Sequence, residues 1–331
     1  MNNFFKLIYN ELIKTYIRKS TWVMYIILAV LVIGSGFITK SFGDYDTTNY
    51  EGDNWREILE AENAELIKEN EEFQKQIEEN EDGFYFGPDM EQVEINHYYL
   101  EHDIQPSTYG AWQFVADNAG LLSIISLFTI IIAAGIIAHE FRWGTIKLLL
   151  IRPISRTKIL LSKYISVLLF ALFTLLFLFI FAWVTGALLF GIEGPQPNMV
   201  VYNYNYDGDY QFQVVSVFKE MISSYGYGLV NLVMMSTFAF MISAVFRNSS
   251  LAIGVAIFLM MGGNMIVSIF ADKPFAKYIL FANTDLKQYA DGYVMIEGMT
   301  LGFSISVLIV YYLVFLLLSW TVFVKRDVAG Q

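Results

Sequence analysis

Residues 118–192 read NAGLLSIISLFTIIIAAGIIAHEFRWGTIKLLLIRPISRTKILLSKYISVLLFALFTLLFLFIFAWVTGALLFGI. Two uncharged runs, 118–138 and 164–192, enclose a basic loop, 139–163, that holds six Lys and Arg and a single acid, Glu140. Each run supplies the roughly 20 apolar helical residues that cross a hydrocarbon core about 30 Å thick. The same kind of run recurs at 20–39, 221–246, 248–271 and 298–324. This predicts an all-α polytopic membrane protein with six transmembrane helices.

The gaps between runs alternate in charge. Segments 1–19, 139–163, residue 247 and 325–331 carry 13 of the 21 Lys and Arg, with only Glu11, Glu140 and Asp327 against them. The other gaps hold eight bases and 29 of the 32 acids. Short loops rich in Lys and Arg remain cytoplasmic, so both termini are expected inside and the acidic face outside. The expected order is a cytoplasmic interfacial helix (1–19), a span (20–39), an acidic extracellular helical insert (40–117), a span (118–138), a cytoplasmic loop (139–163) and a span (164–192). An extracellular loop with a hairpin (193–220), a span (221–246), a cytoplasmic turn (247–250), a span (251–271), an extracellular loop (272–297), a span (298–324) and a cytoplasmic tail (325–331) complete it. The first run is read as an uncleaved anchor, because 20 uncharged residues exceed a signal-peptide core.

Composition narrows the chemistry. A 331-residue chain that is 56% hydrophobic would expose too much apolar surface as a soluble domain. It has no cysteine, which removes thiolate catalysis and Cys-ligated metals. No Asp, Glu, Lys, Arg or His lies inside the six runs, which disfavours proton-driven transport and intramembrane proteolysis. No G-x-x-x-x-G-K-[ST] phosphate loop is present, and no basic-face segment exceeds about 25 residues, far short of a nucleotide-binding domain. No catalytic, metal or cofactor residues are expected on this chain, and no nucleic-acid partner.

The basic loop holds the most specific signal. From Thr145 to Ile151 it is apolar apart from Lys147, which suits a short surface helix with Arg142, Lys147 and Arg152 turned toward phosphates or a partner. Pro153 ends that helix and Ser155 is placed to cap the next. Glu140, Gly144, Thr145, Leu148, Leu149, Pro153, Ser155, Arg156 and Lys163 stand in the places where the permease subunits of the ABC type-2 exporter family carry a Glu, a Gly-Thr, a Leu pair, a Pro, a Ser-Arg and a Lys. The chain resembles that family over this loop closely, and over its six-span order loosely. The resemblance implies a permease subunit in a bacterial plasma membrane, coupled to two copies of a separate ABC ATPase that binds ATP and Mg, and paired with a second permease copy or a related permease. It implies that Glu140, Arg142, Gly144, Thr145, Leu148, Leu149, Pro153, Ser155 and Arg156 couple the loop to the ATPase.

Three further regions bear on function. In residues 2–19, Phe5, Ile8, Leu12 and Tyr16 recur at helical spacing with Lys6, Asn10, Lys14 and Arg18 pointing elsewhere, as an interfacial elbow helix does. In the insert, residues 41–117 hold 21 acids and three bases. Leu59, Leu66 and Phe73 repeat by seven, with Asn63, Asn70 and Ile77 between them, and Met90, Val93, His97, Leu100 and Ile104 line a second helix, so a helical hairpin is expected. At 202–212, alternating aromatics predict a β-hairpin whose three-residue turn pairs Tyr206 with Tyr210. Asn231, Met234 and Met235 in the fourth run and Met260, Met261 and Asn264 in the fifth are candidates for a pathway, and ordinary helix packing explains them equally well.

The function expected is therefore an ATP-driven exporter permease moving an amphipathic substrate, a peptide or drug. A membrane sensor that binds an extracellular ligand without transport is the alternative, and a passive channel would need a polar stripe along a span.

Overall fold

The computed structural model describes residues 2–42, 50, 52–79, 87–142, 145, 153–192, 198–204, 210–246, 248–292 and 294–325. The helices are α1 (Asn2–Tyr16), α2 (Lys19–Phe42), α3 (Trp55–Glu79), α4 (Met90–Glu101), α5 (Ala111–Asp117), α6 (Leu122–Arg142) and α7 (Arg156–Phe190), followed by strands β1 (Asn198–Tyr204) and β2 (Tyr210–Ser216). Then come α8 (Val217–Phe246), α9 (Ser249–Ile269), α10 (Leu280–Thr284) and α11 (Leu301–Lys325). Six helical rods have the length and apolarity to cross a membrane: Lys19–Ser41, Ala111–Phe141, Arg156–Phe190, Val217–Phe246, Ser249–Ile269 and Leu301–Lys325. The protein is a six-span, nearly all-helical membrane protein.

The second rod is the hub. Of its most apolar window 72% is buried, against 17% for the last rod, because α6 packs along α8, α7 and α9 at once. Ile125, Ile130 and Ile137 of α6 meet Val167, Phe170 and Leu178 of α7 and Leu232, Met235 and Phe240 of α8 in one core. Several polar side chains within the rods turn back onto backbone or onto each other. Thr129 donates to the Ile125 carbonyl at 2.8 Å, Ser243 of α8 donates across to the Ala134 carbonyl of α6 at 2.6 Å, and the Tyr164 and Thr237 hydroxyls lie 2.7 Å apart. Such pairing is what hydrocarbon demands of a polar group.

The bundle takes in more of the chain than the charge pattern assigned to it. Residues 111–117 form α5, whose Phe114 and Val115 are buried in the bundle core. Asp117 marked the boundary by its charge, but its carboxylate accepts from the Tyr109 hydroxyl at 2.5 Å at the rod's outer end. A Cβ on Gly186 would lie 3.0 Å from the Ala111 Cα, so the glycine lets α5 and α7 approach closely. Asn248 ends the tight α8–α9 connection by capping α9, accepting from the Ser250 and Leu251 amides at 3.0 and 3.2 Å.

On the acidic face, α3 and α4 pack as the expected hairpin. Leu59, Asn63 and Leu66 are buried in the seam, while Ile77 is exposed. The Asn63 amide oxygen accepts from Asn96 Nδ2 at 2.9 Å, so a polar pair lies inside the seam. On α4 the buried side chains are Val93, Asn96 and Tyr99, and His97 is exposed: the face differs from the expected one because Asn96 and Tyr99 bring partners with them. The Tyr99 hydroxyl accepts the Val200 amide at 3.0 Å, which fastens the insert to β1. The hairpin pairs Tyr204 with Tyr210 and Tyr202 with Phe212, two residues away from the expected register. A two-residue shift leaves the parity of the pairing as expected, so even-numbered positions still stand opposite even-numbered ones. Tyr206 and the turn fall outside the described residues.

The segment after α9 is more structured than a loop. Asn283 is fully buried, donates to the Lys277 and Ile279 carbonyls at 2.9 and 2.8 Å, and accepts from Ser304 of α11 at 2.7 Å. Gly263 makes room for this segment: a Cβ there would lie 2.3 Å from Phe281 Cγ.

Candidate functional site

Four charges converge where α1, α6 and α7 meet, directly beside the basic loop. Lys163 Nζ lies 2.6 Å from Glu11 Oε2 and 3.0 Å from Glu140 Oε1, and Lys14 Nζ lies 2.9 Å from Glu11 Oε1 and 3.1 Å from Glu140 Oε1. Lys163 is 1% exposed, and both glutamates are buried. Two cations and two anions make the cluster formally neutral. Burial alone would lower the Lys14 ammonium's pKa, but Glu11 and Glu140 outweigh it and hold it above the ordinary lysine value.

Each member arrives from a different direction. Glu11 and Lys14 sit one turn apart on α1, Glu140 closes α6, and Lys163 lies two turns into α7. The α1 face packed on the protein carries Ile8, Glu11 and Thr15, while Phe5 and Tyr9 are exposed. The expected stripe of Phe5, Ile8, Leu12 and Tyr16 is thus divided: Ile8 turns to the bundle and Phe5 away from it. Thr145 donates its hydroxyl to the second Glu140 oxygen, which ties the start of the loop to the cluster.

Other loop residues fall as follows. Pro153 is exposed in a bend, and Ser155 caps α7 by accepting the Lys158 amide at 3.4 Å. Arg156 Nη1 donates to the Val324 carbonyl at 3.0 Å, and Trp320 Nε1 donates to Thr157 at 3.0 Å, so the start of α7 is fastened to the end of α11. Gly144, Leu148 and Leu149, together with the Arg142 side chain, lie outside the described residues, as does the short helix expected at 145–151 apart from Thr145.

The pathway candidates do not line one space within a single chain. Met235 and Met260 belong to the main core and Met234 to a neighbouring cluster. Met261 and Asn264 are exposed on the outer side of α9. Asn231 lines a cavity of about 750 Å³ on the acidic face, roofed by Ile95 of the insert and Val200 of β1. Asp117, Glu220, Asp285, Lys287 and Asp291 surround that cavity. Lys287 bridges Glu220 at 2.9 Å and Asp291 at 3.6 Å. Burial pulls the Lys287 pKa down, but Glu220 and Asp291 bring it out above the ordinary lysine value. Among the described residues no group of three or more His, Asp and Glu is arranged to hold a metal.

Glu11 and Lys14 are the members that sequence reasoning missed. A signal existed: only three acids stand among thirteen bases on the basic face, and such exceptions are expected to be paired.

The fold and the buried cluster define a polytopic membrane protein whose charge-bearing chemistry is confined to its two faces. Residues 83–329 match the family described as "Protein of unknown function (DUF2705)", and the chain belongs to that family. It is 44% identical over 326 residues to "Uncharacterized protein YhcI" of Bacillus subtilis (strain 168), covering 98% of this chain and 99% of that one. It is also 32% identical over 218 residues to "Uncharacterized membrane protein YdbK" of the same organism, covering 65% of this chain and 82% of that one.

Proposed function

We propose that this chain is the permease subunit of an ATP-driven exporter in a bacterial plasma membrane, with its basic face in the cytoplasm and a separate ATPase, carrying ATP and Mg, docked on the 139–163 loop. The observation that carries the reading is the Glu11–Lys14–Glu140–Lys163 cluster. A coupling loop does work only if the helices at both of its ends move with it. The cluster joins α6, which enters the loop, to α7, which leaves it, and joins both to α1. A buried ion-pair network is weak evidence for stability, since apolar packing of similar volume is often as stable. Its value here is a fixed geometry. The exposed Phe5 and Tyr9 on α1 suit a helix lying in the membrane interface while its third face clamps the bundle.

Two copies of the ATPase and a second permease, identical or related, would complete the machine. The acidic-face cavity would be the outer end of the path, and its carboxylates suit a cationic or amphipathic peptide or drug. The roof that the insert builds over this cavity favours a second reading, a ligand sensor without transport. Affinity purification of the full chain from its native membrane tests the first reading. A nucleotide-binding subunit is expected to co-elute, and to be lost on Gly144→Trp or Arg156→Glu. No ATPase in the eluate would overturn it, and ligand-stimulated hydrolysis without vesicle uptake would favour the sensor. For orientation, an impermeant maleimide is expected to reach Asn70→Cys but not Thr157→Cys in intact cells.

A further inference from the structure

A second space, of about 720 Å³, runs down the outside of the bundle between α8 and α11. Its α8 wall is built from Lys219, Gly226, Val230 and Met234, and its α11 wall from Leu308 and Tyr312. From Lys219 to Met234 the 1.5 Å helical rise gives a length of about 22 Å. Lys219 lies in the first turn of α8, at the acidic-face end, and every other charged residue is absent from the lining. Lys219 is exposed and makes no ion pair among the described residues, unlike Lys287 behind it. The groove is therefore a long apolar trough with one unneutralised cation at its mouth.

We propose that this groove holds one phospholipid of the acidic-face leaflet, its phosphate on Lys219 and an acyl chain along Val230, Met234 and Leu308. The occupant follows from charge and position together. Both walls belong to helices long and apolar enough to cross a membrane, which sets the trough on a surface that faces hydrocarbon. A lysine at the mouth of an apolar trough between such helices matches a phosphate head above a hydrocarbon tail. A second protein chain would need an apolar ridge capped by an acid to fit equally well. Gly226 leaves the middle open, for a Cβ there meets nothing within 4 Å. Tyr227 and Ala290 line both this groove and the acidic-face cavity, so a seated lipid forms part of the far side of that cavity's wall.

Native mass spectrometry of the full-length protein, extracted from vesicles of defined composition, tests this. The unaltered chain is expected to retain one phosphatidylglycerol or phosphatidylethanolamine and not to retain diacylglycerol, which has the chains without the phosphate. Lys219→Glu should reduce retention at least tenfold, and Gly226→Phe, which fills the trough, should abolish it. Where Gly226→Phe fails to fold, the comparison of phospholipid with diacylglycerol on the unaltered chain decides alone. Equal retention of diacylglycerol, undiminished retention by Lys219→Glu, or a second copy of the chain in place of lipid would each overturn the proposal.

Discussion

The two charged regions of this protein use the same side chains to opposite ends. At the basic face, Lys163 and Lys14 face Glu11 and Glu140 in a cluster that is neutral and closed, with Lys163 fully buried. At the acidic face, Lys287 stands among Asp117, Glu220, Asp285 and Asp291 in a space that is open and net negative. A closed neutral network fixes the relative position of helices and has no capacity for a ligand. An open network with an excess of one sign leaves charge to spare, and spare charge attracts solutes of the opposite sign. On the proposed function, the basic-face network would transmit force and the acidic-face one would meet a solute.

Parallel substitutions break or sharpen this contrast. Lys163→Met leaves two buried glutamates with only Lys14 between them and is expected to cost about 3–5 kcal/mol. Lys287→Met, a change of the same type in a half-buried pair that opens onto the cavity, should cost less, about 1 kcal/mol. Thermal unfolding of both variants in detergent checks this, and equal losses would erase the distinction. In the insert, Asn96→Leu strands the Asn63 amide in the α3–α4 seam at about 1–3 kcal/mol. Hydrogen exchange should report that loss in the insert and leave α6 protected. Arg156→Ala removes the hydrogen bond that holds the start of α7 to the Val324 carbonyl and is expected to cost about 1 kcal/mol, seen as faster exchange at the end of α11.

The smallest expected effect is a gain. Burial raises the Asp291 carboxyl's pKa, Lys287 opposes this, and Glu220 and Asp285 add to it, for a net rise. A carboxyl raised on folding stabilises the fold in its protonated form. That contribution is present below the ordinary aspartate value of 3.8 and is lost as pH rises through the raised one. At neutral pH the ionised group therefore opposes folding. Asp291→Asn should raise the midpoint of thermal unfolding by about 1 °C at pH 7 and leave it unchanged near pH 3.

Much of this architecture was legible in the chain because membranes punish exceptions. Six uncharged runs admit few other folds, and the heptad with Asn63 marked a helical hairpin, although Asn96, the partner of Asn63, lay off the face expected of α4. Boundaries were legible only where charge and helix end coincide. Asp117 separated them, since a carboxylate at a rod's outer end can find a hydroxyl, and α5 was assigned to the insert. The buried cluster was half legible: Glu140 and Lys163 stood in a recognisable pattern, but Glu11 looked like one charge on a basic amphipathic helix. Periodicity says which residues share a face and not which face meets protein. The fold of 272–300 was hidden for a related reason, because Asn283 and Gln288 are knitted to backbone carbonyls that no sequence pattern marks.

The central claim is that this chain is moved by a motor it does not carry, through the charge cluster beside the basic loop. Its most direct test is ATP hydrolysis in proteoliposomes holding the co-purified ATPase with either the unaltered chain or the Glu140→Gln, Lys163→Gln double variant, which keeps hydrogen bonds but removes the charges. The account predicts that the unaltered chain changes the hydrolysis rate and the double variant, equally well inserted, does not. Solute movement or ionic current through the chain alone, with no ATPase and no nucleotide present, would contradict it.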